Sequence, residues 1–346
     1  MDELTLLRSV RDDVEPVQPE TLARGREALL AHIEQGTSTR GPVRRGSGRR
    51  GRRAGWIGAG SVVAAGVAAA LVVGNVIGVT GTGPHGSAAP AAAEVLTHAA
   101  ASTTATTDPV VHPGQYLEVA TRAVYASGFE DDHGSGTYLS SQDGQLYVPA
   151  DTAGDWVWVR DPERVVQTFG PDSERAARVS DKAKGEYLRA AGGGFYGSPA
   201  VVSPSDLAAL PRDPAALLRH AYDATKGQDD PDLAAFGWIA DTLRSGLAPA
   251  DLRAALYKAA AGIPGVVLTD RQANLEGRTG VAIGYAQGNG DQQELIIDPS
   301  TGLLIGEREV VTGGAAASWK VPDGTPIGWT AVTTSVVDAA PARSAR

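Results

Sequence analysis

QELIIDPSTGLLIGEREVV, residues 293–311, carries the pattern that decides the fold. Two runs rich in Ile, Leu and Val, Gln293–Ile297 and Leu303–Val311, flank the segment Asp298-Pro299-Ser300-Thr301-Gly302. Pro299 pre-sets φ for a turn, and Gly302 is free to take φ > 0. Short apolar runs joined by such a segment form an antiparallel hairpin. Upstream, Gly265–Asp270 and Thr279–Tyr285 have the same strand character.

Before residue 265 the period of the apolar residues changes. Asp213-Pro214 supplies an N-cap followed by Pro at the first helical position, opening a helix over Ala215–Ala224. Asp230-Pro231 repeats the device ahead of Leu233, Phe236, Ile239 and Leu243, an apolar stripe at helical spacing. A third helix, Pro249–Ala261, stops at Gly262 and Pro264. Further upstream the period returns to two. Tyr116–Tyr125, Tyr138–Ser141, Gln145–Val148, Trp156–Arg160 and Arg164–Thr168 read as short strands separated by Asp143-Gly144 and Asp161-Pro162 turns. Strands, then helices, then strands predicts an α+β fold: a curved antiparallel sheet with helices packed on one face.

Topology follows from a different stretch. Ala54–Val79 has no charged residue, and Arg40, Arg44, Arg45, Arg49, Arg50, Arg52 and Arg53 precede it. At about 1.5 Å per residue this segment spans roughly 39 Å, enough for a tilted crossing of a ~30 Å hydrocarbon core. The arginines hold the N-terminus on the cytoplasmic side. The expectation is a single-pass cell-membrane protein with its C-terminal domain extracytoplasmic. A signal peptide cleaved near Ala89-Pro90-Ala91 is the rival, but a signal core is shorter and nearer the N-terminus. The expected divisions are a cytoplasmic helical segment with an Arg-rich linker (1–53), the transmembrane helix (54–79), an extracytoplasmic linker with room for a short Ala-rich helix (80–114), the folded domain (115–312) and a weakly structured tail (313–346). Gly74 and Gly78 form a GxxxG spacing within the span.

Charge divides across that boundary. Residues 1–53 carry net +3 and residues 80–346 net −12, within a total of −9. An acidic outer domain argues against binding nucleic acid or anionic lipid headgroups through long-range attraction. The chain has no Cys, so disulfides, thiolate zinc sites and cysteine nucleophiles are excluded.

No HExxH, GxSxG or Walker loop occurs, and the six histidines share no metal-ligand spacing. No catalytic residue, cofactor or metal site is expected, and the chain reads as a non-enzyme. Glu130-Asp131-Asp132-His133 is the densest cluster of ligand types and reads as a solvated loop tip. Asp206, Asp213, Asp230 and Asp232 read as turn or cap residues. A carboxylate pair for glycoside hydrolysis, distant in sequence, stays open as an envelope-hydrolase alternative. Trp156 and Trp158 flank Val157 in a strand and point to one face. They are core anchors or, in a groove, the candidate ligand-facing residues.

The segments Leu210-Pro211-Arg212-Asp213-Pro214, Leu252-Arg253-Ala254-Ala255-Leu256-Tyr257, Ile263-Pro264-Gly265-Val266 and Glu294–Gly302 carry a resemblance. With the two short N-terminal helices, the arginine run and the single span, the chain resembles a family of actinobacterial single-pass membrane proteins without an assigned activity. Its members are often encoded beside an extracytoplasmic-type sigma factor. The resemblance implies a binding or sensing domain with anti-sigma-like coupling to a cytoplasmic regulator such as a sigma factor. The outer domain is also similar to lipoprotein-carrier and sigma-regulator sensor folds, which implies an apolar ligand. A cell-envelope accessory role, holding lipid or glycan without signalling, is the alternative.

Overall fold

The computed structural model describes residues 87–343, other than 132–133, 181, 198–202, 289 and 314. The expected span at 54–79, the GxxxG pair and the arginines Arg44, Arg45, Arg49, Arg50, Arg52 and Arg53 lie outside the described residues, as does the whole of the 1–53 segment. Among the described residues, no helix is long and apolar enough to cross a membrane.

The described chain is α+β, built on one large antiparallel sheet. In chain order it forms α1 (Pro90–Ala105), β1 (Tyr116–Asp131), β2 (Gly134–Ser141), β3 (Gly144–Pro149), β4 (Asp155–Arg160) and β5 (Arg164–Thr168). Next come α2 (Pro171–Val179), β6 (Glu186–Ala191), α3 (Pro204–Ala209), α4 (Pro214–Ala224), α5 (Pro231–Arg244) and α6 (Ala250–Ala260). The C-terminal part is β7 (Val267–Leu275), β8 (Arg278–Ala286), β9 (Asp291–Ile297), β10 (Leu304–Val311), α7 (Ala315–Trp319) and β11 (Pro326–Val337). Neighbours run β6-β4-β3-β1-β11-β10-β9-β8-β7, and β2 and β5 extend the far end of β1.

The first half is longer-range than its short strands suggest. β1 pairs with β2 from Asp131↔Gly134 to Val124↔Ser141, and with β3 from Thr121↔Gly144 to Tyr116↔Pro149, in one unbroken register. β2 and β3 are therefore a single arm interrupted at Gln142-Asp143. There the Asp143 carboxylate accepts from Ala123 N at 3.3 Å, and Gln142 N donates to Ala123 O at 2.9 Å. The next arm breaks beside it: β4 pairs with β3, β5 pairs with β2, and Asp161-Pro162-Glu163 lies between. Proline cannot donate to a ladder, so the interruption falls where its N–H is not needed.

Pairing also shows how one face is shared. Leu295 lies opposite Glu307, Glu307 opposite Thr330, and Thr330 opposite Ala123. Ala123 points the same way as Val119, so Leu295 and Val119 belong to one face. Over β8–β10 that face is covered by helices. Leu207 of α3, Leu217 and Ala221 of α4, Phe236 and Ile239 of α5, and Leu252 and Leu256 of α6 share a buried cluster with Ile283, Leu295 and Ile297. Over β1–β4 a smaller cluster of Val119, Leu146, Val148, Trp156, Phe195 and Val332 occupies it.

The folded unit is wider than the expected 115–312. α1 lies inside the expected linker and is a core element: Ala92, Leu96, Ala99, Ala100 and Thr103 are buried along one stripe that packs on α6. Its buried side chains are small, so helices can approach closely, but the segment carries little hydrophobic signal. β11 lies inside the expected tail and sits in the middle of the sheet, between β1 and β10. Its Thr-rich sequence, with Thr333, Thr334 and Ser335 exposed, lacks clean alternation and hides a central strand.

The capping signals hold as placed. Asp213 accepts from Ala216 N at 2.8 Å, and Asp230 accepts from Asp232 N and Leu233 N at 3.1 and 3.0 Å. Asp206 closes a capping box with Ser203. α6 starts at Ala250 without a local side-chain cap. Asp108, distant in sequence, accepts from Ala250 N at 2.8 Å instead.

Candidate functional site: the cleft where β10 and β11 part

β10 and β11 pair from Val310↔Pro326 to Gly306↔Ala331 and no further. At this point β10 carries a register shift against β9, between Leu304 and Gly306, while β11 continues to Val337 against β1 alone. The strands therefore fork, and a cleft of about 510 Å³ opens between them. Its strand walls are Leu304 and Ile305 on one side and Val332, Thr333 and Thr334 on the other. Leu243, Gly246 and Ala248, at and beyond the end of α5, form part of the lining, with Arg253 of α6. Arg278 and Thr279 at the start of β8 and Asp298, Thr301 and Leu303 of the β9–β10 hairpin complete it. The volume lies within the roughly 300–1,000 Å³ typical of small-molecule sites.

Each polar group is positioned by a distinct local device. The Asp298–Gly302 hairpin closes with Gly302 N donating to Asp298 O at 2.8 Å and Asp298 N to Leu303 O at 2.9 Å. Gly302 has φ 66°, as anticipated, and a Cβ there would lie 2.5 Å from Thr103 N and overlap Ala99 O. The turn is thus pressed onto α1. Asp298 accepts from Ser300 N at 2.9 Å, Ser300 Oγ at 2.7 Å and Thr301 Oγ1 at 2.9 Å. Burial opposes ionisation of Asp298, but these hydrogen bonds outweigh it and hold the carboxyl below its usual pKa.

Gly246 ends α5 with φ 69°, its N donating to Leu243 O at 3.2 Å. A Cβ at this position would lie 2.8 Å from Val119 Cγ1, so the loop from α5 rests on the β1 face with no room to spare.

The two arginines differ in how their charge is met. Arg253 is 12% exposed and fully engaged: Asp108 at 2.8 Å, Thr103 Oγ1 at 2.8 Å and Ala248 O at 2.7 Å. Arg278 follows a two-residue turn in which Glu276 and Gly277 both have positive φ, 50° and 78°. Trp329 Nε1 donates to Glu276 at 3.0 Å, which pins that turn to β11. Arg278 donates to Val332 O at 2.9 Å and, more weakly, to Leu304 O at 3.5 Å. It makes no ion pair among the described residues. Burial lowers its pKa, and the negative charge of Asp298 partly offsets this.

Chemically, the lining offers two guanidinium groups, threonine hydroxyls and an apolar wall. Asp298 is its one carboxylate, so the cleft lacks the pair that glycoside hydrolysis requires. Among the described residues, no group of three His, Asp or Glu side chains is placed to hold a metal ion. Asp132 and His133, the end of the acidic cluster, lie outside the described residues.

The tryptophans are elsewhere. Trp156 is 1% exposed, its Nε1 donating to Thr152 O at 2.9 Å beneath Gly193. Trp158 is half-buried, 5.5 Å from the Phe195 ring and 5.1 Å from the Arg160 guanidinium. Neither lines the cleft. Arg278, by contrast, has no local signature in the sequence. The cleft draws on α5, α6, β8, β10 and β11, and only the turn residues Gly277 and Gly302 hint at its corners.

No protein-family model matches the chain, and no curated protein matches it either.

Proposed function

We propose that this is a membrane-anchored binding or sensing protein whose outer α+β domain holds a small ligand in the β10–β11 cleft. On this reading residues 1–53 are cytoplasmic, 54–79 cross the membrane, and the N-terminal segment engages a regulatory partner such as a sigma factor in an anti-sigma-like manner. The observation that carries the binding half is the fork itself. Backbone pairing is given up in the middle of a large sheet, the Arg278 guanidinium reaches the Val332 and Leu304 carbonyls there, and beside it a cleft stays open with a mixed polar and apolar lining. The uncharged span and arginine run support the topology.

Coupling to the cytoplasm requires two states that the ligand binds unequally. The test uses the full-length chain, purified from membranes into nanodiscs and measured by native mass spectrometry. A copurified small molecule is expected, and it is lost when Thr334→Trp fills the cleft. Wild-type protein with an empty cleft, under every growth condition that yields folded chain, would sink the binding reading. Retention of the same regulator on full-length chain but not on chain lacking residues 1–35 checks the signalling half.

Leu303, 36% exposed at the cleft, favours a second reading in which an envelope lipid or glycan is held without signalling. Ligand recovered without any cytoplasmic partner would select it.

A further inference from the structure

The cleft holds one guanidinium without an ion pair. Arg253 on one wall is paired with Asp108, whereas Arg278 donates to the carbonyls of Val332 and Leu304 and meets the Asp298 charge only through space. Asp298, the one acid in the lining, already accepts from Ser300 and Thr301. With Asp108 counted beside Arg253, two guanidinium groups stand against two carboxylates, and of the two arginines only Arg278 makes no ion pair among the described residues.

Guanidinium geometry narrows the ligand. Arg presents five N–H donors in a planar fork that matches a carboxylate or phosphate. Two backbone carbonyls fix the Arg278 plane without cancelling its charge. Thr279, beside it, adds a hydroxyl. On the apolar side Leu303 of the hairpin is 36% exposed, and Leu304 and Val332, on the two parted strands, show only their edges to the gap. A hydrophilic anion would leave this surface wet, and a neutral hydrocarbon would leave the guanidinium unpaired.

Building on the binding reading above, we propose that the cleft takes a single-chain anionic amphiphile, its carboxylate or phosphate on Arg278 and its hydrocarbon along Leu303, Leu304 and Val332. Recognition is of the head-group charge together with the chain, so neither part alone suffices.

The test uses full-length protein in phosphatidylcholine nanodiscs, with a dansyl-labelled undecanoic acid as probe and empty nanodiscs subtracted. Saturable binding is expected, displaced by dodecanoate and by dodecyl phosphate. Dodecanol should compete at least tenfold more weakly, and inorganic phosphate should not compete. Arg278→Gln should weaken the probe at least tenfold, Arg278→Lys less, while the exposed Arg122→Gln leaves it unchanged. The comparison of dodecanoate with dodecanol needs no variant and stands even if Arg278→Gln fails to fold. Equal competition by dodecanol would overturn the proposed head-group recognition yet leave a binding cleft. Competition by inorganic phosphate would overturn the role of the chain. Protein that copurifies with a neutral ligand and ignores every anionic probe would retain the binding reading and reject this one.

Discussion

One face of one sheet is finished in two ways. Over β8–β10 it lies under α1 and α3–α6, whose apolar stripes interlock with Ile283, Leu295 and Ile297 in a large cluster. Over β1–β4 it is covered chiefly by Phe195 and Leu247, and the cluster is small. The first half gains its order from long ladders, with β1 in one register against β2 and β3, and the second from helix packing. Ladder hydrogen bonds contribute modestly each, whereas burial scales with the apolar area removed from water. Stability should therefore be concentrated in the helix-covered half, and the cleft lies along the seam between the two.

The largest effect that could break this contrast is the loss of a ring from each half. Phe236→Ala, at the fully buried centre of the helical layer, should cost about 3–5 kcal/mol and lower the unfolding midpoint of the whole domain. Phe195→Ala removes a ring from a 3-10 turn, Phe195–Gly197, in the smaller cluster, so a cost at the lower end, about 3 kcal/mol, is expected. Hydrogen exchange should show the Phe195 variant losing protection in β3, β4 and β6 while β8–β10 stay protected. Uniform loss across both halves would mean that the sheet is one cooperative unit and the contrast is false.

Next in size is a substitution at the point where the helical layer grips the hairpin. Gly302→Ala combines a positive φ with a Cβ driven into the α1 backbone, a cost of about 2–4 kcal/mol. Urea unfolding should register it as a shift in midpoint, with α1 protection lost first. A near-neutral result would show that α1 sits on the sheet loosely and contributes little to the stronger half.

How much was legible in advance follows the same division. The hairpin at Asp298–Gly302, the helices opened by Asp213-Pro214 and Asp230-Pro231 and the short strands of the first half have local causes, and local residues announce them. α1 and β11 do not. α1 packs through Ala92, Ala99 and Ala100, which contribute close approach rather than hydrophobic signal. β11 is central because β1 and β10 flank it, and its partners on β1, from Tyr125↔Gly328 to Tyr116↔Val337, lie at the other end of the described chain, where no periodicity within Pro326–Val337 reports them. The cleft was illegible for a related reason. It exists because a ladder stops at Gly306↔Ala331, and the stopping point depends on the register of strands remote in sequence. Trp156 and Trp158 had the opposite character: a conspicuous local pattern that the fold uses for packing.

A smaller effect sharpens the contrast from inside the helical layer. The Tyr257 hydroxyl donates to Gly302 O at 2.9 Å in a fully buried setting, and burial pushes its pKa up, so it stays neutral and a donor. Tyr257→Phe leaves that carbonyl without this donor, and a loss of about 1–2 kcal/mol is expected in thermal unfolding. Loss of less than a few tenths would mean that the hairpin is held by backbone contacts alone.

The smallest predicted effect is also the one with a sign that pH reveals. Asp298 has a folded-state pKa below its ordinary value, set by hydrogen bonds from Ser300 and Thr301 against the opposing effect of burial. A depressed carboxylate stabilises the fold above the unfolded-state pKa of about 3.9, and that contribution is lost as pH falls through the lower folded-state value. Asp298→Ala should therefore cost about 1 kcal/mol at neutral pH, from the lost turn hydrogen bonds. The gap between wild type and variant should hold constant down to about pH 5 and narrow below about pH 4. Chemical unfolding of both proteins across that range measures it. A gap that widened with acid would mean the folded Asp298 takes up its proton more readily than the unfolded one. Burial, not the turn, would then govern this corner of the cleft, and Arg278 would lose the offsetting charge of Asp298 at a higher pH than the hydrogen bonds imply.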